Sequence, residues 1–264
     1  MRLTIRHHTR YSYETPLPYV LQRLRLHPRN DSVQTVREWT LTLAGCEREA
    51  RYRDGFGNDT LLVSSRDGVD HLDITAQGIV ETRDTAGVTG HDRNSAPLWI
   101  YEQETPLTLP GKSIRAMAAA LKAREPLERL HELMEHIAGT IAYEVGQTHS
   151  ATTAEEALTG GHGVCQDHAH VFCAAARLAG IPARYVSGYL FMEGTDEQAA
   201  SHAWAEAHVD GLGWVGFDCA NKICPDERYV RLAHGRDYDD ASPVSGLRYG
   251  HSGESLAVSL NVAQ

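Results

Sequence analysis

The chain has 264 residues, an apolar share of 42% and a formal net charge of -10. That length suits one or two domains with a real core, and the acidic balance excludes a nucleic-acid or anionic-membrane partner, since either rewards a basic surface. No stretch approaches the roughly 18 apolar residues of a membrane helix, and residues 1–13 lack the apolar segment of a signal peptide. Without a signal peptide the expected setting is the cytoplasm, and the five cysteines, an odd number in such a chain, favour thiol chemistry or burial over disulfides.

In chain order, residues 3–5, 19–26, 35–43, 60–63 and 71–80 show period-two alternation, separated by turn signals at 28–31, 54–59 and 66–68. Short strands at this spacing predict an antiparallel β-sandwich domain over residues 1–84. Residues 85–110 read as a linker. They are first rich in Gly, Thr, Asp and Asn and are then kept extended by Pro97, Pro106 and Pro110. Residues 111–264 make a second domain, so the fold class is α+β. Helices are predicted at 113–123, at 126–142 with Leu130, Leu133, Met134, Ile137 and Ile141 at helical spacing, and at 153–158 with Thr152 or Thr153 as N-cap. A fourth helix, 164–179, is stopped by Gly180 and Pro182. Strands follow at 184–191, 202–209, 214–218 and 255–262.

Cys165 falls in the first turn of the fourth helix, after the break Gly160-Gly161-His162-Gly163. Unpaired backbone N–H groups and the positive end of the helix dipole favour thiolate at such a position, and the thiolate is the nucleophile. The glycines allow close approach of a substrate, and the Cys165 amide is placed to donate to an oxyanion. The bland reading is a small buried residue at a helix start. That reading is preferred for Cys173, which lies eight residues further on, roughly 12 Å along the axis, amid Phe172 and Ala174.

The run Ser201 to Val209 alternates, with His202, Trp204, Glu206 and His208 on one face and Ala and Val on the other. After a turn at 210–213, Trp214-Val215-Gly216-Phe217 leads to Asp218, a carboxylate in an apolar setting that needs a partner such as an imidazole N–H. Cys165, His202 and Asp218 together fit the generalised triad of thiolate, base and orienting carboxylate. Alone, His208 reads as an incidental strand residue and Asp218 as a turn residue. Because side chains alternate, a four-residue loop would pair Ala205 with Asp218 and put His202 and Asp218 on opposite faces. The expected loop is therefore odd in length, three residues with a glycine at φ > 0, or is offset by a bulge, with Trp204 opposite Asp218.

Gly163-Val164-Cys165-Gln166-Asp167-His168-Ala169-His170, followed by Ala179-Gly180-Ile181-Pro182-Ala183-Arg184-Tyr185-Val186-Ser187-Gly188-Tyr189, resembles the nucleophile segment of bacterial transglutaminase-like proteins. Ser201-His202-Ala203-Trp204-Ala205-Glu206 and Gly213-Trp214-Val215-Gly216-Phe217-Asp218 resemble that family's His and Asp blocks, in the right order. The β-rich first third is similar to the N-terminal domain that accompanies this core in bacteria. The resemblance implies a papain-like α+β transglutaminase core. Cys165 would attack an amide carbonyl, His202 would act as base and then acid, and Asp218 would orient His202. Ammonia or an amine leaves, and water or an amine resolves the thioester. Peptide or protein amides are the implied partner, and no cofactor or metal is implied. Cys219-Ala220-Asn221 stands where family members often have Pro-Thr-Asn. On a strand Cys219 would point away from Asp218 and leave the triad intact. Trp99, Tyr143 and Trp204 are the candidates for a second oxyanion donor.

Three other readings compete. The 15 histidines suggest a metal site, but His168 and His170 face different ways on a helix, and Cys219 and Cys224 lack a second pair at zinc spacing. A binding module could retain the fold without activity, although all three triad positions are intact. Protein crosslinking competes with hydrolysis. The absence of an acceptor motif favours a peptidase or amidase.

Overall fold

Period-two burial creates the first sheet. In β1 (Arg2–Leu24) the inward residues are Leu3, Ile5, His7 and Thr9 at odd positions, then Val20, Gln22 and Leu24 at even ones. The phase changes where Leu17 pairs with Val69 but Tyr19 with Arg66, a bulge beside Gly68 at φ +83°. The structure, a computed structural model, describes residues 1–92, 96–195, 197–198 and 200–264. Strands β2 (Gln34–Ala44), β3 (Glu47–Arg53) and β4 (Asp59–Thr82) follow. The turn signal at 66–68 marks the bulge inside β4, so segments expected as separate short strands join into two long curled ones. Asp54 supplies the real turn, accepting hydrogen bonds from the amides of Phe56 (3.0 Å) and Asn58 (2.9 Å).

The segment read as a linker is packed, and its residues 93–95 lie outside the described residues. It contributes β5 (Val88–Gly90) and two 3-10 turns, Leu98–Glu102 and Pro106–Thr108. Buried Arg177 fixes the second half by donating to the Tyr101 carbonyl (2.9 Å) and the Thr108 hydroxyl (2.8 Å). Next come α1 (Lys112–Ala120), α2 (Pro126–Thr140), β6 (Ala142–Tyr143), α3 (Ala154–Gly160), β7 (His162–Gly163) and α4 (Cys165–Leu178). The four helices lie within a few residues of the expected positions. Thr153 caps α3 in a reciprocal pair with Glu156. Helix α1 has no cap of its own, and Glu155 of α3 accepts its amides at Gly111, Ser113 and Ile114 instead.

The rest comprises β8 (Ala183–Leu190), β9 (Glu197–Gln198), β10 (His202–Val209), β11 (Gly213–Phe217), β12 (Tyr229–Gly235), α5 (Tyr238–Ala241), β13 (Val244–Tyr249) and β14 (Glu254–Ala263). The second sheet runs β12-β8-β10-β11-β5, with every pairing antiparallel. Helix α4 packs on it through Ala203, Ala205 and Ala207, whose small side chains let the helix approach, and α1, α2 and α3 cover the helix's other side. The fold is thus α+β, with a mostly β N-terminal part and a core of helices on an antiparallel sheet.

The last strands differ from expectation. Residues 255–262 were assigned to the second domain, yet β14 pairs with β1 from Thr4 to Tyr13 and β13 pairs with β1 from Tyr19 to Leu24. The C-terminal strand joins the first sheet because Leu260 and Val262 bury in one cluster with Leu3 and Ile5, which also includes Tyr189 and Val230 of the second sheet. Polar contacts reinforce this junction. Gln34 exchanges hydrogen bonds with the Arg231 backbone (2.8 and 2.9 Å), Asp31 pairs with Arg231 (2.8 Å), and Thr82 donates to the Glu227 carbonyl. No helix among the described residues is long and apolar enough to cross a membrane.

Candidate active site

The geometry begins at the break before α4. Gly161 ends α3 at φ +72°, a left-handed cap suited to glycine. Gly163 has another role: a Cβ there would stand 2.7 Å from the Asp167 side chain. Asp167, buried at the third position of α4, accepts the Val164 amide (2.7 Å) and the Thr148 hydroxyl (2.7 Å). It therefore fixes the helix start from below. Cys165 is the first residue of α4 and is 9% exposed. The parallel bridge of β6 and β7 sets Tyr143 against Gly163. Burial, followed by the charge of Cys165, raises the pKa of the Tyr143 hydroxyl to about 12.

His202 opens β10, and its Nε2 is 2.6 Å from Asp218 Oδ2. Cys165 lies close enough to the ring to contribute to its raised pKa. The ring stacks near Trp204 at 6.3 Å and meets Tyr229 at 5.9 Å. Burial by itself would drive the imidazole toward neutrality, but the hydrogen bonds to Asp218 and Cys165 outweigh it, and the pKa of His202 rises from 6.5 to about 10.

Asp218 follows β11 and is 1% exposed. Besides His202, Oδ2 accepts from Asn221 Nδ2 (2.7 Å) and the Tyr229 hydroxyl (2.7 Å), while Oδ1 accepts the amides of Ala220 (3.0 Å) and Asn221 (3.2 Å). Burial favours the neutral acid, yet the bonds to His202, Asn221 and Tyr229 hold the carboxyl below the usual carboxylate range. The turn itself is closed by reciprocal backbone bonds between Asp218 and Ile223, with Lys222 at φ +59°. The hairpin has the expected three-residue loop, with Val209 opposite Gly213 and Gly211 at φ +82°. Pairing runs to Ala205 opposite Phe217, so the register extends toward Trp204 opposite Asp218, but there Asp218 leaves the strand to bridge Ile223.

Cys165, His202 and Asp218 are therefore brought together. Cys173 is fully buried, with its thiol pushed up to about 11 by burial. Cys219 is buried among the residues packed around α4, away from His202. His168 uses both ring nitrogens on the carbonyls of Val164 and Ile141, and His170 accepts the Tyr238 amide with its pKa lowered to about 3 by burial, so neither faces the thiol. His208 packs edge-on to Trp214. Trp204 is 1% exposed beneath the His202 ring and Trp99 is 61% exposed on a 3-10 turn, whereas the Tyr143 backbone pairs with Gly163, two residues before Cys165.

Two residues were not anticipated. Asn221 belongs to a motif noted in the sequence but given no role there. Tyr229 begins a strand that was not anticipated, although Tyr229-Val230-Arg231-Leu232 mixes aromatic and branched residues as strands do.

Residues 3–81 match the bacterial transglutaminase-like N-terminal region, and residues 115–219 match the core of the transglutaminase-like superfamily. The chain is 28% identical to an uncharacterized protein of Mycobacterium leprae over 100% of its length and 99% of the relative's. It is 31% identical to an uncharacterized protein of Mycobacterium bovis over 97% of its own length and 90% of the relative's. A "Putative Cysteine Protease" from Cytophaga hutchinsonii shares the fold, with a TM-score of 0.79 at 21% identity, covering 100% of this chain and 91% of that one. With matches to both regions and a near-full-length relative above 30% identity, the chain belongs to the bacterial transglutaminase-like family.

Proposed function

We propose that the protein is a thiol-dependent acyl-transfer enzyme that cleaves amide substrates through a thioester on Cys165, with water as the acceptor. The observation that supports this best is the His202 ring, held on one side by a buried carboxylate with five hydrogen-bond donors and meeting a helix-start thiol on the other. In this reading His202 already holds the proton given up by Cys165, as a thiolate–imidazolium pair, and the thiolate adds to the amide carbonyl carbon. Its π electrons move to oxygen, facing the Cys165 amide. Collapse of that oxyanion breaks the C–N bond as the His202 imidazolium protonates the leaving nitrogen. Water, deprotonated by the same ring, then releases the acid and frees the thiol. Water is the favoured acceptor because the sequence carries no dedicated amine-acceptor motif. All five cysteines are free, in keeping with a reducing cytoplasmic setting.

The test is to incubate the protein with a panel of peptides, with and without a primary amine, and read the products by mass. Cleaved or deamidated peptide is expected from the native protein and none from Cys165→Ala. Amine adducts in place of hydrolysis would shift the reading to crosslinking. Identical behaviour of both proteins would replace it with a non-catalytic binding module.

A further inference from the structure

We propose that the N-terminal β domain is a positioning element of the active site: Gln34, Asn58 and Thr82 hold β12 so that the Tyr229 hydroxyl meets Asp218. This inference rests on the thiol-enzyme reading above and gives the N-terminal domain a part in it. Strand β12 is the last strand of the second sheet, so one side of its backbone lacks a neighbouring strand of that sheet among the described residues. Buried N–H and C=O groups on such an edge need partners. Side chains of the N-terminal domain supply them. Gln34 accepts from the Arg231 amide (2.8 Å) and donates to the Arg231 carbonyl (2.9 Å), as a paired strand would. Asn58 does the same at His234, accepting its amide (2.9 Å) and donating to its carbonyl (2.8 Å). Outward backbone groups of a regular strand recur every second residue, yet these two clamps are three residues apart. The register shift of β12 between Arg231 and Ala233 accounts for the extra residue. Both carboxamides are 1% exposed. Thr82, at the end of β4, adds a third hold by donating to the Glu227 carbonyl.

Residues 227 and 231 stand two positions to either side of Tyr229, so the domain grips the chain on both sides of that residue. The Tyr229 ring meets Trp204 edge-on at 5.3 Å, and its hydroxyl donates to Asp218 Oδ2 (2.7 Å). The same oxygen accepts from His202 (2.6 Å) and from Asn221 Nδ2 (2.7 Å). Asn221 belongs to the turn that carries Asp218, so it moves with the carboxylate. Tyr229 comes from another strand and fixes the carboxylate against the rest of the sheet. A displacement of β12 by roughly 1 Å would break a hydrogen bond of this length. The carboxylate would then be freer to turn from His202.

The experiment follows acylation of Cys165 by p-nitrophenyl acetate as a function of pH. It compares the native protein with Tyr229→Phe, Thr82→Val, the double variant of these two, Gln34→Leu and Cys165→Ser. Tyr229→Phe keeps the ring on Trp204 and removes only the hydroxyl. It is expected to slow acylation at neutral pH by about 10-fold, the effect of losing one hydrogen bond to a charged group. Its acid limb should also move to higher pH, because His202, Asn221 and Tyr229 together hold the Asp218 carboxyl below the usual range. The other charged or titratable groups near Asp218, namely Arg228, Tyr143 and Cys219, stay in place in this variant. Thr82→Val, nearly the same shape, should reproduce both changes in smaller measure, by about 3-fold in rate. Gln34→Leu is the second test of the link and should behave in the same way. In the Tyr229→Phe background, Thr82→Val should add little. Losses that multiply in the double variant would overturn the proposal, because Thr82 would then act by another route. A Thr82→Val protein with native rate and native acid limb would overturn it too. If the native protein acylates no faster than Cys165→Ser, the thiol-enzyme reading itself fails and this proposal fails with it.

Discussion

Asp218→Asn is expected to slow acylation of Cys165 at neutral pH by about 10⁴-fold, the loss that accompanies neutralising the orienting carboxylate of a triad. The carboxylate accepts from His202, Asn221, Tyr229 and two backbone amides. An amide in its place must turn an NH₂ toward at least one of these donors. His202 then loses the largest of the influences that keep it protonated, and burial drives the ring toward its neutral form. The signs define a pH window. His202, with its folded pKa raised, stabilises the native state fully below its ordinary 6.5 and loses that contribution as pH rises through about 10. Asp218, with its folded pKa depressed, contributes above its ordinary 3.8 and loses that contribution as pH falls through the lower folded value. The ion pair is thus intact across neutral pH, and the variant should lose most there. Release of p-nitrophenolate from p-nitrophenyl acetate, followed from pH 5 to 10, measures the effect. A variant as fast as the native protein would reduce Asp218 to a structural anchor.

Glu206→Gln is expected to cost about 3–5 kcal/mol of folding stability, the range for removing one partner from a buried ion pair. Glu206, 1% exposed in β10, meets Arg184 Nε at 2.7 Å and Nη2 at 2.6 Å, and Arg231 Nε at 3.0 Å. Arg184 is fully buried, and its guanidinium lies 4.1 Å over the Trp214 ring. Arg231 continues the chain of charges to Asp31 in the loop before β2. The carboxylate therefore neutralises two guanidiniums and ties the His202 strand to the N-terminal sheet. Urea unfolding at pH 7 reads the change, and a midpoint within error of the native protein would show that Asp31 and Asp92, which lies 3.5 Å from Arg184, suffice to neutralise the pair.

The helical half was legible because local signals agreed with tertiary packing. Periodicity at Leu130, Leu133, Met134 and Ile137 matches their burial, and Thr153 caps where a cap was expected. Cys165, His202 and Asp218 could be singled out as candidates because they sit at chemically marked places: a helix start after glycines, a strand start, and a strand end. The hairpin register followed from side-chain parity alone. The N-terminal sheet was less legible. Gly68 looks like a turn in sequence, but its positive φ serves a bulge. Strand β3, Glu47-Arg48-Glu49-Ala50-Arg51-Tyr52-Arg53, is exposed throughout and shows no alternation to read. The return of β13 and β14 to β1 is a long-range pairing, and period-two alternation says that a strand exists without naming its partner. The same limit applies to Tyr229, which reaches Asp218 only because β12 lies beside β8. Contacts made across a sheet leave no local mark.

Site-resolved alkylation of Cys165 tests the central claim most directly. At pH 6 an ordinary thiol, with a pKa of about 8.5, is almost wholly protonated and reacts slowly with iodoacetamide. A thiol at the start of α4 facing a protonated His202 should still react readily at that pH. Cys173 and Cys219, buried at 0% and 2% exposure, should remain unlabelled in the folded protein. His202→Ala should give Cys165 the pH profile of an ordinary thiol, because the imidazolium that stabilises the thiolate is gone, and Asp218→Asn should move it the same way by less. Mass spectrometry of each cysteine-containing peptide across pH 5–9 records all of these together. Rapid labelling of Cys165 at pH 6 that depends on His202 is the predicted result; labelling that follows Cys46 and Cys224, or that ignores the loss of His202, would contradict the triad.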